Sequence, residues 1–189
     1  MGQYYKGYVK NLNDNTLVFD SFDYNNGAKL TEHSWVGNNM VDAVCTYIQD
    51  NPCIIGWFGD YSNDTEEYHR DENIQKIYQQ LWIDRDDVSF NFKMPTKGIR
   101  RLMRRGYLIN NTQKIYIPMK EYFALNKDNE NWCLNPLPLL TALGNGQGGG
   151  DYYGPNQEAV GTWLLDEILY SKEAPNKDFQ KVMYEFKEV

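Results

Sequence analysis

Between residues 144 and 151 the chain reads GNGQGGGD, a run whose residue types could bind a ligand. Successive glycines can turn their backbone N–H groups into one concavity, a nest for an anion. Here Gly144, Gly146, Gly148, Gly149 and Gly150 would shape it, with Asn145 and Gln147 as neutral donors. Asp151 at its end opposes phosphate and instead suits a metal, a sugar hydroxyl or a base amine. Taken simply as glycine, the stretch is a turn, because glycine clusters mark turns first. Gly144, Gly146 and Gly149 also match GxGxxG, but Gly150, Asp151, Gly154 and Pro155 follow where a dinucleotide-binding helix must start. NPLPLLTAL precedes, carrying two prolines. No Lys-Ser or Lys-Thr follows the glycines, which removes the phosphate loop of nucleotide hydrolases.

Three further groups could carry chemistry. Lys29, Glu32 and His33 lie close together beside Trp35, and a carboxylate next to an imidazole can serve general acid/base catalysis. The plain alternative is a hydrogen-bonded structural histidine and a solvated lysine. Asp60 ends the apolar run CIIGWF, and ligands commonly sit beyond strand ends. If Asp60 meets Asp151, the pair could bind a divalent metal or share a proton; apart, each is a turn aspartate beside a glycine.

The third group is KMPTKGIRRLMRRG, residues 93 to 106, which holds Lys93, Lys97, Arg100, Arg101, Arg104 and Arg105 and no acid. On a helix ending at Gly106, Arg100 stacks with Arg104 and Arg101 with Arg105, while Ile99, Leu102 and Met103 turn inward. Such a face suits phosphate or an acidic protein surface. DYSNDTEEYHRDE, residues 60 to 72, contains six acids, and its neutralising this helix within the fold is the favoured expectation.

The elements that must position these groups are legible in part. QYYKGYVKN and TLVFD, joined by the turn signal LNDN, read as a β-hairpin. Met40, Val41, Val44, Tyr47 and Ile48 share a helical face, entered through an asparagine cap and closed by Asn51-Pro52. CIIGWF reads as a strand, and residues 72 to 83 as a helix with Ile74, Ile77, Tyr78, Leu81 and Trp82 in its stripe. GYLINN and KIYIPM form a second hairpin that ends near Pro118. Residues 159 to 170 fit strand or helix; Gly161 and the Gly/Pro-rich lead-in favour strand. With 189 residues and 41% hydrophobic content, the expectation is a single α+β domain over residues 1–189, a mostly antiparallel sheet with a few helices packed on it.

Charge and cysteine usage narrow the function classes. A net charge of -7 repels nucleic acid and anionic membrane, so nucleic acid is disfavoured except through Arg100, Arg101, Arg104 and Arg105. Cys45, Cys53 and Cys133 are odd in number and lack a CxxC pair, which suggests neither a disulfide framework nor a zinc site. Without a signal-like or membrane-length apolar run, a cytoplasmic protein with no membrane association is expected. The sequence leaves the cofactor undetermined.

MGQYYK at the start, NGAKLTEHSWVGNN at 26 to 39, GDY at 59 to 61, NPLPLLTALGNGQGGGDYYG and VGTWLLDEI together resemble an uncharacterised family of small phage and bacterial proteins. In that family the loop often reads GNGRGGGDY and the earlier station GLKLMEH, so Gln147 stands where an arginine is usual. The resemblance implies a phage or mobile-element origin, hence a host cytosol, and no mechanism. Three functions then stand as expectations. The first is an accessory protein binding a small anionic or nucleotide-like ligand at the glycine loop, with Lys29, Glu32, His33 and Asp60 around it. The second is a protein-binding inhibitor of a host defence system, contacting a host partner through acidic and tyrosine-rich surface. The third is a metal-dependent hydrolase using Asp60, Asp151 and His33.

Overall fold

The computed structural model describes residues 1–84 and 95–187; Lys93 of the basic stretch lies outside the described residues. β1 (Tyr5–Asn11) and β2 (Thr16–Asp20) form the first hairpin. β1 also pairs antiparallel along its length with β3 (Cys53–Gly59), from Tyr5 opposite Gly59 to Asn11 opposite Cys53. β4 (Tyr107–Asn110) and β5 (Ile115–Pro118) form the second hairpin. β7 (Glu167–Ser171) joins the two halves, pairing with β3 on one side and β4 on the other. Two short strands pair in parallel: β6 (Ala142–Leu143) with β3, and β8 (Gln180–Lys181) with β5. The result is one eight-stranded sheet, β2-β1-β3-β7-β4-β5-β8 with β6 beside β3. The expected α+β architecture is therefore present.

Strand alternation loads both faces of this sheet. Tyr5, Val9, Leu17, Phe19, Ile55 and Trp57 point into the larger apolar cluster, whereas Tyr8, Val18 and Phe58 point into a smaller one behind it. Helix α2 (Asn39–Tyr47), α5 (Ile99–Arg105), α6 (Met119–Asn126) and α7 (Pro136–Leu140) supply buried side chains to the larger cluster. On the other face lie α4 (Glu72–Tyr78) and the π turn Gln79–Ile83, through Ile74, Ile77 and Leu81, with α3 (Glu66–Arg70) leading into them. A short helix α1 (Leu30–His33) follows the first hairpin. Asn38 caps α2 by accepting from Met40 N and Val41 N, as the sequence led one to expect of these asparagines.

One stretch that the sequence left unassigned is a helix: the prolines of NPLPLL start it. Asn135 caps it, accepting from Leu137 N at 2.9 Å, and Pro136 and Pro138 sit in the first turn, where amides lack intrahelical acceptors. The strand expected over 159 to 170 is confined to its end, from Glu167 onward. Before it the chain turns repeatedly, with Gly161 N donating to Leu139 O and Trp163 N to Leu140 O, which drives the Trp163 indole into the core.

Candidate functional site

The glycine loop wraps the amino-terminal residues. Gly149 N donates to Met1 O at 3.0 Å and Gln3 N donates to Gly149 O at 3.0 Å. The Gln3 side chain is wholly buried in a slot walled by Gly59, Gly144 and Gly148; a Cβ on any of the three would collide with it. With its amide nitrogen facing the loop, Gln3 donates to Gly144 O at 2.8 Å and to the Asp151 carboxylate at 3.0 and 3.2 Å. Gly150 takes φ +87° and leaves room for the Lys29 stem, while Thr31 donates to its carbonyl through both N and Oγ1. The two stations MGQYY and GNGQGGGD are thus one structural unit.

A concavity of amides does form, but its anion belongs to the protein. Asp151 Oδ2 accepts from Gly146 N at 2.7 Å and Gly148 N at 2.9 Å, and Oδ1 accepts from the Tyr5 hydroxyl at 2.9 Å. Asn145 closes the far side, its Oδ1 accepting from Tyr152 N at 2.7 Å and its Nδ2 donating to Tyr152 O at 3.0 Å. Gln147 N donates to Gly144 O. Burial, with the Asp151 charge beside it, pushes the Tyr5 hydroxyl well above its ordinary pKa, so it remains a donor. The amides of Gly146, Gly148, Gly149 and Gln147, expected to face an external anion, all have acceptors within the protein.

Of the residues expected around the loop, Lys29 packs against Gly150 and Asp60 feels the Asp151 charge, while Glu32 and His33 are engaged elsewhere. Lys29 pairs with Glu32 at 3.0 Å, and Glu32 also accepts from Lys29 N. Burial raises the Glu32 pKa, but these bonds to Lys29 outweigh it and leave the carboxyl below its usual range. His33 is fully buried; its Nε2 accepts from Trp57 Nε1 at 2.8 Å and its Nδ1 meets Gly27 O at 3.1 Å. Both ring nitrogens are therefore spent, with the proton on Nδ1, and burial pushes its pKa down to about 4. Asp60 exchanges hydrogen bonds with the Tyr4 backbone; burial raises its pKa, and Asp151 adds repulsion. Among the described residues no group of three or more His, Cys, Asp or Glu could hold a metal ion.

The α5 helix is built as the sequence implied: Ile99, Leu102 and Met103 are buried and the arginines face out. Its charge is not neutralised by the acidic segment. Residues 60 to 72 lie on the opposite side of the sheet, where Arg70 pairs with Glu66 inside that segment. Arg100 reaches the fully buried Asp42 carboxylate, Nε to Oδ2 at 2.7 Å, and donates through Nη2 to Gly37 O at 2.8 Å. Burial pushes the Asp42 pKa up despite Arg100 drawing it down. The Arg104 guanidinium lies 4.8 Å from the centre of the Phe123 ring. Arg101, Arg104 and Arg105 make no ion pair with a carboxylate among the described residues.

These arginines edge three adjoining hollows. One of about 470 Å³ is lined by Gly98, Arg101, Leu102, Arg105, Gly106 and Lys172. Another, of about 550 Å³, is lined by the four arginines. A third, of about 530 Å³, runs from Arg100 and Arg104 to Trp35 and Trp132. Sequence reasoning noted Trp35 but not Trp132. Their meeting depends on the antiparallel bridge between Trp35 and Leu134, for which the linear chain offers no local signal.

Comparison of the chain with protein-family models, with curated proteins and with solved structures gives no match. No described helix is long and apolar enough to cross a membrane.

Proposed function

We propose that this protein is a binding module for a small anionic, phosphate-bearing ligand, held on the arginine face of α5 and not in the glycine loop. The observation that carries the reading is the set Arg101, Arg104 and Arg105, three guanidinium groups within two turns with no carboxylate partner among the described residues. Planar guanidinium forks match phosphate oxygens two at a time, and Lys172 adds a fourth positive charge at the edge. The overall negative charge and the acidic opposite face disfavour a long polyanion, whose backbone would extend beyond the basic patch. Calorimetric titration with inorganic tripolyphosphate tests this. Binding that weakens with added salt and falls at least about tenfold in the double variant Arg101→Glu, Arg105→Glu supports the reading. Absence of heat, or binding untouched by the double variant, overturns it.

A second reading, a protein-binding inhibitor of a host defence system, is favoured by one specific surface. Tyr4 and Phe22 are exposed and meet edge to face at 6.4 Å, and the Tyr4 backbone is bonded to Asp60 at the start of the acidic segment. Exposed Tyr153 contacts the adjoining glycine loop at Gly148 O. Aromatic side chains bordered by acids suit a basic protein partner. Affinity capture from host lysate, lost in Phe22→Ser but kept in the arginine double variant, supports it; capture that survives Phe22→Ser counts against it.

A further inference from the structure

We infer that the groove between Trp35 and Trp132 takes the base of a guanine nucleotide whose phosphates lie on the α5 arginines; this deepens the anion-binding reading and rests on it. The hollow is about 530 Å³ and is continuous in its lining with that face, because Arg100 and Arg104 border both. The antiparallel bridge pairs Trp35 with Leu134, and Val36 N donates to Cys133 O at 2.9 Å. Trp132 is therefore the diagonal neighbour of Trp35. Diagonal neighbours of this kind lie within reach of each other's aromatic side chains, which places both indoles on one groove. Both indoles are half-buried, Trp132 packing against the larger core cluster, and among the described residues neither meets another ring, so each offers the groove its remaining aromatic surface.

The groove is organised before any ligand arrives. Arg100 is fixed by Asp42, Gly37 O and Asn39 Oδ1, at 2.7, 2.8 and 3.4 Å. A Cβ at Gly37, where φ is +104°, would stand 3.5 Å from the Trp35 ring and 3.7 Å from Arg100 Nε. Those are ordinary contacts, so it is the positive φ that calls for glycine at the turn carrying the indole edge beside the guanidinium.

Polar groups in the groove fit one base edge best. Glu130 lines it and forms no ion pair among the described residues. Guanine alone among the common bases presents two adjacent donors, N1–H and its exocyclic amine, and one carboxylate accepts two parallel donors. Among the described residues the Trp132 indole N–H and the side-chain amide nitrogens of Asn39 and Asn131 make no hydrogen bond, and they can serve guanine O6 and N7.

The experiment is calorimetry of the full chain against GTP, ATP and inorganic tripolyphosphate, in the wild type and in Glu130→Gln. Glu130 is exposed in a turn, so this change leaves the core intact. The expected result is GTP binding at least about tenfold tighter than either ATP or tripolyphosphate, with Glu130→Gln erasing the preference over ATP and leaving tripolyphosphate unchanged. If tripolyphosphate binds and GTP binds no more tightly, the base site is wrong while the anion site stands. A GTP preference that survives Glu130→Gln removes the assigned edge recognition. If none of the three binds, both readings fall.

Discussion

Tyr5 and Asp151, separated by 146 residues in the chain, are joined by a buried hydrogen bond of 2.9 Å that ties the first strand to the glycine loop. The same carboxylate collects two loop amides and the Gln3 side chain, so one acid satisfies donors from two remote parts of the sequence. The glycine run is explained by what it encloses. Its missing side chains make room for Gln3 and Lys29.

Asp151→Ala leaves the amides of Gly146 and Gly148 and the Tyr5 hydroxyl without their acceptor. The buried Tyr5 donor costs about 1–3 kcal/mol and the part-buried loop amides less, so the variant is expected to lose about 2–3 kcal/mol. Tyr5→Phe, which removes one donor and keeps the ring, is expected to lose only about 1–2 kcal/mol. Urea denaturation measures both. An Asp151→Ala protein as stable as wild type contradicts the structural role of the loop.

His33 makes stability depend on pH. Its folded pKa is pushed down to about 4 from 6.5, so between these values the unfolded chain binds the proton and the folded one does not. Stability therefore falls as pH drops from about 6.5 to 4, by about 3 kcal/mol in all, and this contribution is flat below the folded pKa. Ring-nitrogen NMR is expected to show neutral imidazole with the proton on Nδ1 at pH values midway through that window. An imidazolium signal there contradicts it.

The fold was largely written in local patterns. Both hairpins, the CIIGWF strand, the α2 stripe and the inward Ile99, Leu102 and Met103 follow periodicity of two or 3.6 residues, which nearest neighbours encode. The site was less legible, because its meaning depends on partners remote in sequence. Nothing near Asp151 announces that Tyr5 and Gln3 will bond to it, and nothing near Arg101 announces that six acids will fall behind the sheet. Asp42 looks like an exposed first-turn acid and is instead the buried anchor of Arg100. The turns before Glu167 escaped for the same reason, since they are set by carbonyls of Leu139 and Leu140 on another element.

The three cysteines should be inert while the protein is folded. All are free and buried, and burial pushes Cys53 and Cys133 up to about 12 and Cys45 well above its ordinary value. The thiolate is the reactive form, so labelling with a thiol reagent is expected only after unfolding. Rapid stoichiometric labelling of native protein is the contrary result.

Gln147 borders an acidic cleft with Asp64, Glu66 and Glu67, not the arginine face. Gln147→Arg is accordingly expected to raise stability by up to about 1 kcal/mol at low salt, an effect screened at high salt. Tripolyphosphate affinity should be unaltered. A marked gain in that affinity, measured by calorimetry, contradicts placing the anion on α5.

The location of the anion is tested most directly by NMR of labelled protein titrated with tripolyphosphate, following backbone amides together with arginine Nε–Hε signals. Shifts concentrated on residues 99 to 105 and on the side chains of Arg101, Arg104 and Arg105, with residues 144 to 151 unmoved, are the expected outcome. Shifts centred on the glycine loop, with the α5 signals unchanged, contradict it.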